Sequence, residues 1–294
     1  MHNKNNGIRA SYLGFIILFS QSLWSQNNQE GYSSGFNGVY GGLGLGLMST
    51  RAKLTSNTST ILTNFISPGT FEIQKNLQEN NSSNLDGLLM LSVGVGRLIG
   101  NSNFYAGIEG FYNPGTSITF YNENSSYYSN TEARTFIYFP TSDTELTQKS
   151  YNYGADIKLG HLFNDTTLTY IRVGVGFNRA TIKSNYTLDY RDYNTSPEIA
   201  AFSYLNVNKT KTLPAIRLGL GGEYAVTNEL HLNVDVIYTG YKSLKANGTS
   251  NTISPLDLFN NFNVVIPNGF SNTTRASNIQ NVAAVVGIKY YIKN

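Results

Sequence analysis

Eight charged side chains stand at alternate positions inside otherwise apolar runs. They are Glu109, Asp156, Glu223 and Asp235 against Lys158, Arg172, Arg217 and Lys289. Charges so placed either line a narrow ion path or pair with one another and fill the space between them. Unpaired charge in a narrow interior is expensive, so a plug of paired side chains is the expectation. Other chemistry is thin. There is no Cys, hence no thiolate nucleophile, disulfide or Cys-ligated metal. Three His (His2, His161 and His231) are too few for most metal sites. Gly42-Leu43-Gly44-Leu45-Gly46 has the glycines of a phosphate loop but no strand-to-helix context. The Asn-x-Ser/Thr triplets at Asn81, Asn124, Asn185, Asn247 and Asn272 read as surface polarity. No catalytic residue, cofactor or metal is expected.

The elements that must hold these charges follow from a period of two. Eight segments alternate apolar and polar residues, at 38–48, 88–98, 104–112, 151–162, 168–177, 213–224, 230–238 and 281–292. In 38–48, Val39, Leu43, Leu45 and Leu47 share one face and Gly42, Gly44 and Gly46 the other. In 168–177, Ile171, Val173 and Val175 oppose Tyr170, Arg172, Gly174 and Gly176. The eight charges all fall on the second kind of face, among glycines.

The connections alternate in length. After segments two, four and six they are tight: Gly100-Asn101-Ser102-Asn103, Asn164-Asp165-Thr166 and Thr227-Asn228-Glu229. After segments one, three, five and seven they run 49–85, 113–150, 178–212 and 239–280, long for a compact soluble domain. Strict short–long alternation of strands about ten residues long is the signature of a transmembrane barrel. The fold expected is therefore all-β: an eight-stranded antiparallel transmembrane β-barrel with short periplasmic turns and four long extracellular loops.

Two features set the apolar face outward. Phe104, Tyr112, Tyr153, Phe177, Tyr224, Tyr238 and Tyr290 lie at or near the strand ends, while Leu, Val, Ile and Ala hold the middles. Rings at both rims of an aliphatic band make an interfacial girdle in lipid, and a soluble core has no reason for that distribution. The polar face carries balanced charge between many glycines. Those glycines would weaken a solvated surface but leave room for Arg and Tyr inside a narrow lumen.

The N-terminus is read as a signal peptide over 1–25. Lys4 and Arg9 precede the apolar 10–19, and Ser22-Leu23-Trp24-Ser25 leads into polar residues. Residues 26–34 form a short linker and 35–294 the barrel. Without Lys4 and Arg9 the 21 basic residues fall to 19 against 18 acidic ones, so the exported part is nearly neutral and unsuited to nucleic acid.

Phe36-Asn37-Gly38-Val39-Tyr40-Gly41-Gly42 opens the barrel. It resembles the aromatic-x-Gly-x-Tyr-x-Gly opening of the small outer-membrane β-barrel proteins, the group of OmpX-like, opacity-protein-like and OmpA-transmembrane-like barrels. The resemblance covers nearly all of 35–294. It implies outer-membrane location and roles such as adhesion, surface masking or envelope integrity, with no peptidoglycan-binding domain following the last strand. Barrels of this group often end on Phe, whereas here Lys293-Asn294 follow Ile292. Some of them modify lipid A with a Ser/His/acid set at the outer rim. With the first strand running outward, His161 and His231 both fall at the periplasmic end, so catalysis is not expected.

Function is therefore expected in the loops, as a monomer in outer-membrane lipid that meets a host-cell or other surface ligand. Tyr121, Tyr127, Tyr128, Tyr138, Phe139, Tyr190 and Tyr193 are contact candidates among Ser, Thr and Asn, as is Phe120. The same segments alternate in places, as at 116–121 and 186–190, and would then extend the strands and pack on each other.

Overall fold

In a computed structural model every regular element among the described residues is a strand. The residues described are 35–64, 69–99, 102–114, 118–125, 128–129, 136–192, 199–250 and 265–292. The segments read as a signal peptide and as the linker lie outside them. The strands are β1 (Gly38–Asn64), β2 (Gly69–Leu98), β3 (Phe104–Pro114), β4 (Ile118–Ser125), β5 (Tyr128–Ser129), β6 (Phe136–Asn164), β7 (Thr167–Asp192), β8 (Ile199–Ala225), β9 (Leu230–Tyr241), β10 (Leu244–Ser250) and β11 (Val265–Ile292).

Eight of them form a closed antiparallel ring in the order β1-β2-β3-β6-β7-β8-β9-β11, and β11 pairs back onto β1. Closure gives every backbone donor and acceptor of the membrane section a partner, which hydrocarbon requires. Each of the eight segments read from the sequence lies within one ring strand. The three tight turns join β2 to β3, β6 to β7 and β8 to β9. Their polar side chains bond locally: Asn164 Oδ1 accepts from the Thr166 amide (3.1 Å), and Thr227 Oγ1 accepts from the Glu229 and Leu230 amides (3.2 and 2.9 Å).

The outward face is apolar where the sequence places it. Leu45 is 64% exposed to the surroundings, and Leu43, Val93, Ile108, Ile157, Val173 and Leu218 are exposed with it. The rims are aromatic. Tyr153 stacks on Phe177 at the outer rim (ring centroids 5.7 Å), beside Tyr112 in the neighbouring strand. At the periplasmic rim Phe104 meets His161 edge-on (5.6 Å), and His161 meets Phe163 (5.4 Å). Phe163 extends a girdle whose other members are Phe104, Tyr112, Tyr153, Phe177, Tyr224, Tyr238 and Tyr290.

The four long connections differ from the loops expected. Their described residues are largely strand: β2 has 30 residues and β6 has 29, roughly three times the ten that cross a bilayer. Beyond the outer rim the polarity of the wall inverts. Leu54, Ile118, Phe120, Leu146 and Ile182 now point inward and are fully or almost fully buried, in one cluster. Arg51, Arg179 and Lys183 point outward. A wall in hydrocarbon hides its polar face, and the same wall in water hides its apolar face. Phe120, grouped above with the contact candidates, is therefore a core residue.

Candidate functional site

The eight charged residues meet in the membrane section of the lumen, each almost wholly buried. Register brings them there. Glu109 and Asp156 are cross-strand partners on β3 and β6, and Lys158 and Arg172 on β6 and β7. Arg172 and Arg217 face Gly219 and Gly174 across the β7–β8 ladder. A Cβ on Gly219 would stand 2.8 Å from Arg172 Cγ, so the glycine makes the room that the guanidinium occupies.

Arg172 is the hub. Its Nη2 donates to Glu109 Oε1 and Asp156 Oδ2, each at 2.6 Å. Its Nε also donates to Asp156 Oδ2 (3.0 Å), and Nη1 lies 3.1 Å from Asp235 Oδ1. Arg217 Nε donates to the other Asp156 oxygen (3.1 Å), while its guanidinium carbon lies 3.5 Å from the Phe111 ring centroid. Lys158 pairs with Glu109. Toward the periplasm Lys289 pairs with Glu223, whose Oε1 also accepts from Tyr291 Oη (2.7 Å) and lies 2.9 Å from His231 Nδ1.

All eight candidates thus belong to one connected set. Several partners were not singled out in the sequence. Tyr40 Oη donates to Glu109 Oε2 (3.0 Å), Tyr170 Oη to Asp235 Oδ1 (3.0 Å), and Asn233 Nδ2 to Asp235 Oδ2 (2.9 Å). The Lys158 and Lys289 ammonium groups lie over the Tyr170 and Tyr40 rings at 4.7 and 5.0 Å. Tyr40, Tyr170 and Tyr291 all sit on the inward rank of their strands, and that parity was the available signal.

The set is closed from both sides. On the periplasmic side Phe36 inserts a fully buried ring 4.8 Å from that of His231, among Tyr105, Leu162 and Leu168. Asn37 fixes this segment by accepting from the Leu98 amide (2.7 Å). On the outer side lie Leu88, Met90, Phe111, Ile237, Ala283 and Val285. Above them runs a polar collar in which Asn152 and Asn281 both reach the Tyr241 hydroxyl (2.8 and 3.4 Å). The apolar interior of the outer wall follows.

Chemically the set consists of ion pairs and hydrogen bonds between neighbouring side chains. The His231–Glu223 couple has the elements of a base and its orienter. It is walled in by Phe36 and Tyr291 at the periplasmic end, and His231 Nε2 has no partner among the described residues. His161 faces outward at the periplasmic rim, beside Phe104. Among the described residues no group of three His, Cys, Asp or Glu could hold a metal.

Of the outer contact candidates, Tyr121 projects from β4 and is 69% exposed. Tyr128, Tyr138, Phe139 and Tyr190 are placed in β5, β6 and β7. Tyr127 and Tyr193 lie outside the described residues.

No protein-family model matches the chain, and no curated protein matches it in sequence. Among solved structures it is similar to Ail, the attachment invasion locus protein of Yersinia pestis (10% identity, 87% of this chain and 99% of that one, TM-score 0.29). It is also similar to the outer membrane protein OprG from Pseudomonas aeruginosa (11%, 89% and 100%, 0.37) and to Neisserial surface protein A (11%, 84% and 97%, 0.28). The closed ring carries the conclusion on this chain's own terms. An aliphatic belt between aromatic rims, with eight strong charges of that section turned into the lumen and Arg97 facing outward near the periplasmic rim, is a wall built for hydrocarbon, and the chain is accordingly a small eight-stranded outer-membrane β-barrel.

Proposed function

We propose that the chain is a non-enzymatic surface protein, exported by residues 1–25, that works as a monomer through contacts made outside the membrane. The filled lumen carries this reading. Four acids and four bases pair within the membrane section, Phe36 seals one mouth and apolar layers seal the other. The membrane section is then a rigid post. The strands it anchors continue far beyond the outer rim and present Thr, Asn and aromatic residues such as Tyr121 to the exterior. Adhesion to another cell, or tethering of an envelope component, is the role such a wall supports.

The test has two arms. The barrel is refolded into a planar bilayer, its folding checked by a gel mobility that shifts on boiling. A silent barrel is expected. Stable, discrete conductance that changes on neutralising Arg172, Arg217 or Glu109 would replace this reading with that of a narrow passive channel. In the second arm, trimming the wall above the outer rim is expected to abolish cell binding while the heat-shift persists. Binding retained by the trimmed barrel would remove the contact reading.

A further inference from the structure

Beyond contact in general, the outer wall carries one chemically distinctive surface. β8 stays paired with β7 above Ala215 but loses its ladder partner on the other side: β9 ends at Tyr241, and β10 pairs with β11 rather than with β8. The Lys242 amide donates to the Pro214 carbonyl (3.0 Å) where the strands part. A seam therefore runs up the wall between β8 and β10. Its floor is apolar, with Val207 and Leu244 buried.

The seam is lined by cations. Lys209 and Lys211 stand opposite Ile182 and Ala180, and so share the inward rank with them. Ile182 and Ala180 are fully buried, yet both lysines are exposed. The seam is what lets them reach water. Lys242 and Lys245 are exposed on the other flank, and Lys245 stands directly opposite Arg275, a like-charge pair that costs stability unless an anion sits between. Among the described residues none of these five is ion-paired. The acids Glu79 and Glu145 are on β2 and β6, away from the seam, where they pair with Lys53 and Lys183.

Height identifies the partner. Lys242 follows the outer-rim Tyr238 by four residues, which places it at the level of lipid headgroups. Lys211 and Lys209 lie five and seven residues beyond Ile216, and Arg275 seven beyond Val282. On tilted strands rising about 3.3 Å per residue, these three stand about 10–20 Å above the rim. A glycerophospholipid offers phosphate at one level only. We propose that the β8–β10 seam is a binding site for a phosphorylated glycolipid of the outer leaflet, whose saccharide carries phosphates at several heights.

The test uses the full chain in nanodiscs, measuring lipid retained after delipidation by mass spectrometry. Wild type is expected to retain lipopolysaccharide with a phosphorylated core in preference to its dephosphorylated form and to phosphatidylglycerol. Raised salt should weaken that retention. The variant Lys209→Gln/Lys211→Gln/Lys242→Gln/Lys245→Gln should lose at least tenfold in retention. Lys53→Gln/Lys183→Gln should not, and both should keep the heat-shift of a folded barrel. Equal retention by wild type and the seam variant would overturn the proposal, as would equal retention of the dephosphorylated form or of phosphatidylglycerol. Soluble polyphosphate bound by wild type as tightly in phosphate-free nanodiscs would also overturn it, since the cations would then serve a free polyanion.

Discussion

Arg172 shows what a single residue does in this lumen. Three carboxylates converge on its guanidinium, so its removal leaves excess negative charge in a buried interior rather than a mere gap. Breaking a buried pair from one side costs about 3–5 kcal/mol. Arg172→Met should therefore lower the stability of the refolded barrel by that amount in urea titration, and by more than Arg217→Met, which loses one carboxylate and an aromatic face. Lys289 and Glu223 provide the complementary case. Lys289→Met alone should cost about 3–5 kcal/mol, whereas adding Glu223→Gln should recover much of it, because a neutral pair needs no desolvation of charge. Additive losses in the double-mutant cycle would show that the two do not interact. Gly96 is limited by space instead. A Cβ there collides with the Tyr105 hydroxyl, and overpacking of this kind costs about 1–3 kcal/mol. Gly96→Ala should show that loss in the same titration, with Tyr105→Phe relieving part of it.

At the scale of the strand, one element serves two solvents. β6 turns Ile157 and Leu159 outward in the membrane section, and turns Leu146 inward above the outer rim. The same period of two thus carries opposite polarity on either side of the girdle. The two sections should respond separately to damage. Leu146→Asp buries a lone carboxylate in the outer apolar cluster, a change worth several kcal/mol. Limited proteolysis should then nick the wall above the rim while the membrane section stays protected and keeps its heat-shift. Uniform protection of the variant would mean that the outer wall does not rest on this cluster. Alternation within 118–121 and 186–190 announced such strands. Their Thr, Asn and Ser content made them look like loops.

For the whole molecule, layering decides what passes. From the periplasm outward the lumen holds an aromatic seal at Phe36, the charge network, an apolar layer, the amide collar around Tyr241, and the apolar interior of the outer wall. On the proposed reading of a closed lumen, no single layer needs to be tight for the stack to block ions. Phe36→Ala should leave the barrel electrically silent, since Arg172 and its carboxylates still close the path behind it. A current through that variant in a planar bilayer would show that the N-terminal plug alone seals the barrel.

Much of this was written into the chain. Period-two alternation identifies eight crossing strands, and the turn residues at Asn164 and Thr227 mark where three hairpins close. The placement of Tyr112, Tyr153 and Tyr238 marks the rims and shows which face meets lipid. The eight lumen charges could be named because alternation alone fixes the face on which each residue stands. Distance around a ring does not follow from parity. Only the closed barrel brings Glu109 of β3, Asp156 of β6 and Asp235 of β9 onto one guanidinium of β7, and only it shows Tyr40, Tyr170 and Tyr291 completing their hydrogen bonds. The sequence likewise could not show that β8 parts from its neighbour above Ala215, exposing Lys209 and Lys211 from an inward rank. Local pattern determines which way a side chain points, whereas tertiary structure decides what it finds there.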